Sequence, residues 1–199
     1  LAGNKGHLIE AVRKALNDLG FPDEELMIGG LVVRTTLEKD AQVAAEAAVF
    51  NQAPKDAPDN LHIGLVSIRP GTGEIVAMYG GRDYLARQLN DATQAITQAG
   101  STFKPFALIA ALEEGISLST IWDGDGPKIF DDFIGRPYEV SNYGNKSFGK
   151  VSLLQATAGS INTVYVPLGI KVGVDKAIDA ARRAGIPESI VMFPSPSFV

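Results

Sequence analysis

Apolar residues at Leu8, Ile9, Val12, Ala15, Leu16 and Leu19 recur at helical spacing, and Gly20 with Pro22 supplies a stop. The spacing predicts an amphipathic helix over 8–19. Leu31 to Thr36 is a short β-rich run. After it Thr35 or Thr36 can cap a helix reaching about Phe50, with Glu38 placed for a capping box with Thr35. Asn51 to Asn60 carries Pro54, Pro58, charges and no apolar period, so it reads as an exposed linker and a domain boundary. Leu61 to Arg69 and Gly73 to Tyr79 are strand-like runs around Pro70-Gly71-Thr72, which is hairpin chemistry. Helical patterns follow over Phe106 to Glu114, Leu153 to Gly169 and Val174 to Ala184. Strands precede helices, so the expected fold is α+β rather than a βαβ alternation.

Val151 to Ile170 is free of charge. It holds Ser152, Gln155, Thr157, Asn162, Pro167 and several other polar or helix-breaking residues, too many for a lipid-facing span. It is expected to be a buried segment of a globular domain.

Composition narrows the classes without selecting one. The 199 residues are 45% hydrophobic and 21% charged, as in an ordinary folded chain. A net charge of −5 with no Lys/Arg cluster argues against a nucleic-acid partner. With no Cys, thiolate catalysis and sulfur-ligated zinc are excluded. The start, Leu1-Ala2-Gly3-Asn4, has neither an initiator Met nor a signal pattern, so the chain reads as a piece of something longer.

The chemistry concentrates in two places. Gly100-Ser101-Thr102-Phe103-Lys104-Pro105-Phe106 opens an apolar helix and puts a hydroxyl and an amine three residues apart, on one face. Pro105 suits a first turn, where its missing N–H has no helical partner. A serine hydroxyl becomes a useful nucleophile when a base takes its proton, and a desolvated neutral lysine can be that base. Taken alone, the pair fits better an N-capping Ser101 beside a solvated Lys104, since the pattern is short and both residues are common. Ser160-Ile161-Asn162 lies 59 residues after Ser101, inside the uncharged stretch. A buried hydroxyl and amide need partners, and Lys104 and Ser101 are one possible set; backbone groups at a helix bend are another.

Ser-x-x-Lys at a helix start, Ser-x-Asn about sixty residues on, and the preceding Arg69-Pro70-Gly71-Thr72-Gly73-Glu74-Ile75-Val76-Ala77-Met78 together resemble the transpeptidase domain of penicillin-binding proteins. Gly29-Gly30-Leu31-Val32-Val33-Arg34-Thr35-Thr36-Leu37 resembles the strand that follows the glycosyltransferase domain in bifunctional, class A members. The resemblance spans roughly residues 28–186. It implies an α+β transpeptidase fold of the penicillin-binding-protein/β-lactamase type, an antiparallel sheet plus a helical subdomain. Residues 1–58 would be a small α/β linker module and 59–199 the N-terminal portion of the transpeptidase domain. The family's third motif, Lys-Thr-Gly or Lys-Ser-Gly, is absent from the 199 residues, so the fold is expected to be incomplete. A companion chain or missing segment would carry that motif.

By resemblance, Ser101 is the nucleophile toward a peptidoglycan stem peptide, Lys104 its base, Ser160 the proton relay and Asn162 the residue that holds Lys104 and binds the substrate amide. β-Lactam antibiotics would acylate Ser101. No cofactor or metal is implied, and the location would be the extracytoplasmic face of the bacterial membrane, through an anchor outside this chain. A serine β-lactamase shares the acylation chemistry but needs a carboxylate to activate water; Glu188, in Pro187-Glu188-Ser189, does not match that pattern and is expected to be an exposed loop residue. A catalytically incomplete scaffold is the third reading. Asp123-Gly124-Asp125-Gly126 lacks the Glu of a calcium loop and reads as a turn. His7 and His62 lack a ligand pattern, and Trp122, Tyr138 and Tyr143 are expected to pack around the helical subdomain.

Overall fold

The computed structural model describes residues 2–58, 60–131 and 135–192. The chain divides into two compact units, Leu1–Thr97 and Gln98–Val199.

In the first unit α1 (Asn4–Asp18), α2 (Asp23–Ile28) and α3 (Lys39–Gln52) accompany a hairpin of β1 (Leu65–Ile68) and β2 (Ile75–Tyr79). The hairpin is antiparallel, pairs Val66 with Met78, and shifts register between Ser67 and Ile68. The second edge of β2 is satisfied without a regular strand. Thr36 Oγ1 donates to Ile75 O at 2.7 Å, Glu38 N–H to Val76 O at 2.9 Å, and the Gln42 amide both donates to Met78 O and accepts from Met78 N–H at 2.9 Å. A side-chain amide thus takes the place of a neighbouring strand, because a strand edge left unpaired would waste its backbone groups.

Two expectations fail here for that reason. Leu31 to Thr36 is not a strand, and α3 begins at Lys39 with Glu38 as its N-cap and no capping side chain, so neither Thr35 nor Thr36 caps it. Thr36 spends its hydroxyl on β2 instead. α2, which was not anticipated, carries Asp23, Glu24 and Glu25 in its first turn, where carboxylates suit the positive end of a helix. At the other end of β2, Asn4 donates to Met78 O at 3.1 Å and accepts from Gly80 N–H at 3.0 Å, tying α1 to the hairpin.

The second unit is built around α4 (Lys104–Glu113), entered through a 3-10 turn over Gly100–Phe103. The remaining elements are β3 (Ile121–Asp123), β4 (Lys128–Asp131), β5 (Pro137–Val140), β6 (Lys150–Ser152), α5 (Leu153–Ala158), α6 (Asn162–Val172) and α7 (Val174–Arg183). β3 pairs antiparallel with β6, and β4 with β5. The strands-then-helices order is therefore corrected: four short strands lie between α4 and α5, too short and too loop-rich to show a period of two. The α+β class stands.

The core joins α4, α5, α6 and α7. Ala107, Ala110 and Ala111 of α4 and Ala177 and Ala181 of α7 are buried together with Phe103, Leu153, Val164, Tyr165 and Leu168. Small residues on facing helices let the backbones approach closely, and burial at roughly 25 cal/mol per Å² of apolar area supplies the driving force. Trp122 packs against this core, whereas Tyr143 is 93% exposed, contrary to its expected packing role. No helix among the described residues is long and apolar enough to cross a membrane.

Candidate active site

The predicted helix over Leu153–Gly169 is two helices. α5 starts at a full capping box: the Ser152 hydroxyl accepts from Gln155 N–H, and the Gln155 side chain accepts from Ser152 N–H. Its C-terminus closes with Ile161 N–H donating to Ala156 O at 2.9 Å and Ser160 N–H to Thr157 O at 3.1 Å. This pair of bonds is a Schellman motif, whose left-handed position usually belongs to glycine. Here Ser160 occupies it at φ +50°, while Gly159 sits one residue earlier in right-handed geometry. A non-glycine residue held there costs on the order of 1 kcal/mol, and such strain is characteristic of functional positions.

The turn ends α5 and starts α6 within three residues, which brings Ser160 and Asn162 to Lys104. Lys104 Nζ donates to Ser160 O at 2.7 Å, Ser160 Oγ at 2.9 Å and Asn162 Oδ1 at 2.7 Å. Its ammonium also lies 5.3 Å from the centroid of the Tyr165 ring, whose hydroxyl is paired with Thr157 Oγ1 at 2.7 Å. Lys104 is 5% exposed, so it is not a solvated surface lysine. Burial pulls its pKa from 10.5 to about 8. Asn162 Nδ2 donates to Ser141 O at 2.9 Å, and this bond turns Oδ1 toward the lysine.

Ser101 is exposed within the 3-10 turn, and its backbone carbonyl accepts from Lys104 N–H. The three Lys104 donors all go to residues 160–162, so a Ser101–Lys104 side-chain bond is not among them, although the two residues were expected on one face. The structure brings Lys104 together with Ser160 and Asn162, including the Asn162–Lys104 contact that the resemblance implied. Glu188 is exposed in a turn after α7.

The chemistry of this cluster follows from its donors and acceptors. A backbone carbonyl and an amide oxygen can only accept, whereas a serine hydroxyl can also donate. When Lys104 loses its proton, two N–H groups remain for Ser160 O and Asn162 Oδ1, and the lone pair can accept the Ser160 hydroxyl. Ser160 is thus the one partner of the three able to exchange a proton with Lys104.

A family profile described as penicillin binding protein transpeptidase domain matches residues 63–196. The chain belongs to the penicillin-binding protein transpeptidase family. Among curated relatives it is 32% identical over 186 residues to penicillin-binding protein 2D of Bacillus subtilis, covering 93% of this chain and 27% of that protein. Among solved structures it resembles the penicillin-binding protein PonA1 from Mycobacterium tuberculosis at a TM-score of 0.83 and 36% identity, covering 94% of this chain and 47% of that one. The same protein in complex with penicillin V matches at a TM-score of 0.82 and 34% identity, with coverage of 95% and 48%. This transpeptidase-family chain thus spans about a quarter of the Bacillus relative and about half of the PonA1 chain.

Residues that sequence reasoning missed surround the cluster: Tyr165 over Lys104, Ser141 behind Asn162, and a buried Asn142–Thr163 pair. The capping box was readable from Ser152-Leu153-Leu154-Gln155. The others carried no spacing signal, because 141–142 reaches α6 only through the tertiary fold.

Proposed function

We propose that this chain carries the nucleophile half of a class A peptidoglycan D,D-transpeptidase, with residues 1–58 a linker module after a glycosyltransferase domain and 59–199 the start of the catalytic domain. The observation that carries this reading is the buried Lys104 ammonium bonded to both Ser160 and Asn162 in a chain of this family. Ser101 Oγ attacks the carbonyl of the penultimate D-Ala of a stem peptide while neutral Lys104 takes the hydroxyl proton. The tetrahedral oxyanion is met by Ser101 N–H, in a first helical turn where N–H groups have no helical partner. Collapse breaks the peptide C–N bond, Ser160 gives its proton to the departing amine and is reprotonated from Lys104, and terminal D-Ala leaves. The amine of a neighbouring stem peptide then attacks the acyl-serine; its proton passes to Lys104 and on to Ser101 Oγ, regenerating the enzyme.

The second oxyanion donor and the anchor for the substrate carboxylate come from a segment bearing Lys-Thr-Gly that is not among these 199 residues. β-Lactams acylate Ser101 in the same way, and the site faces the extracytoplasmic side of the membrane. The test is covalent labelling of the whole protein with fluorescent penicillin. Wild type takes one label and Ser101→Ala takes none; label surviving the substitution removes Ser101 as nucleophile, and rapid continuous penicillin turnover replaces the transpeptidase by a β-lactamase.

A further inference from the structure

Asn142 and Thr163 are both buried, and the Nζ hydrogen bonds of Lys104 go to Ser160 and Asn162 instead. Thr163 is braced from outside its own helix at each polar atom. Its N–H, an unpaired donor of the α6 N-terminus, donates to Asn142 Oδ1 at 3.1 Å. Its hydroxyl lies 2.9 Å from Gly124 O and 3.1 Å from Asn142 Oδ1. Its carbonyl, which would pair with the residue 167 N–H that Pro167 lacks, accepts from Lys128 Nζ at 3.3 Å. Asn142 Nδ2 in turn donates to Gly124 O and Lys146 O, each at 2.9 Å. The close fit requires glycine at 126, where a Cβ would lie 2.8 Å from Thr163 Cγ2. The neighbouring Ser141 O is the acceptor that orients the Asn162 amide. Two consecutive residues, 141 and 142, therefore grip two consecutive residues, 162 and 163.

We infer that Asn142 is a positioning residue of the site: by capping α6 at Thr163 it holds Ser141 O against Asn162 Nδ2, and so keeps Asn162 Oδ1 turned toward Lys104. The role of Lys104 as base rests on the proposed function; the geometric coupling does not. An amide oxygen facing the ammonium favours the charged form, against burial. Without the clasp Asn162 is free to turn, Lys104 loses one acceptor, and it releases its proton at lower pH. The titratable neighbour facing Lys104 is Tyr165. The charged groups between α4 and α7, Glu113 with Arg183 and Glu114 with Lys176, form exposed pairs at the far end of α4. Burial is what lowers the lysine's pKa.

The test uses the whole protein with Asn142→Ala, Asn142→Ser, and Val172→Ala as a control that destabilises the same helix through a core cavity. Two readouts are followed against pH: the 13Cε signal of Lys104, and the acylation rate by penicillin. In Asn142→Ala both the titration and the alkaline rise in acylation move down by roughly half to one pH unit, with a smaller shift of the same sign in Asn142→Ser. Val172→Ala lowers the melting temperature and moves neither. A titration at the wild-type pH in whichever Asn142 variant folds overturns the inference. If wild type takes no penicillin, the proposed function fails, and the 13Cε titration still decides the clasp.

Discussion

At the residue scale the decisive quantity is the cost of burying the Lys104 ammonium. Its folded pKa of about 8 lies below the 10.5 of an unperturbed lysine, so the folded state holds this proton less tightly than the unfolded state. Below pH 8 both states are charged and the full penalty is present. Between 8 and 10.5 the folded state sheds its proton first, and stability rises with pH. The penalty relieved is on the order of 3 kcal/mol. Denaturant titrations from pH 7.5 to 10.5 are expected to show this rise in wild type and to lack it in Lys104→Met; parallel curves for the two would show that Lys104 titrates as an exposed lysine. The identities of Ser101, Lys104, Ser160 and Asn162 were readable as short motifs. That all three donors of Lys104 go to residues 160–162 was not, because a three-residue spacing places Ser101 and Lys104 on one face without deciding where the lysine's donors go.

At the element scale, the informative feature is the break between α5 and α6. A continuous apolar run over 153–169 reads as one helix, since nothing in Ala158-Gly159-Ser160-Ile161 states which residue will turn left-handed. Glycine is the default, and it sits one position too early. The Schellman bonds place Ser160 there, and the change of direction aims its carbonyl and hydroxyl at Lys104. Removing the hydroxyl with and without relief of the backbone separates the two effects. Ser160→Gly is expected to be more stable than Ser160→Ala by about 1 kcal/mol, since alanine keeps the strained φ and glycine does not. Equal melting temperatures would mean that the turn relaxes freely. The strand segments show the same limit of pattern reading: the 65–79 hairpin was legible from its turn, whereas β3 to β6 are three or four residues long, and β3 and β6 owe their pairing to partners distant in sequence.

At the scale of the whole molecule, the chain forms two compact units that divide after Thr97. Residues 93–100 are exposed, Ile96 88% so, and the stretch holds no lysine or arginine. Limited thermolysin digestion is expected to cut before Ile96 and leave two resistant fragments, read by mass spectrometry; cleavage scattered evenly along the chain would contradict this division. By itself the sequence determined the hairpin, most of the helical segments, the α+β class, and the Ser-x-x-Lys and Ser-x-Asn residues at family spacing, because these depend on local periodicity, turn chemistry and motif order. Only the tertiary structure decided that Gln42 would finish the edge of β2, that Lys104 would be buried rather than solvated, and that 141–142 would grip 162–163. Each of these rests on satisfying a buried polar group with a partner remote in the chain, and no local pattern carries that information.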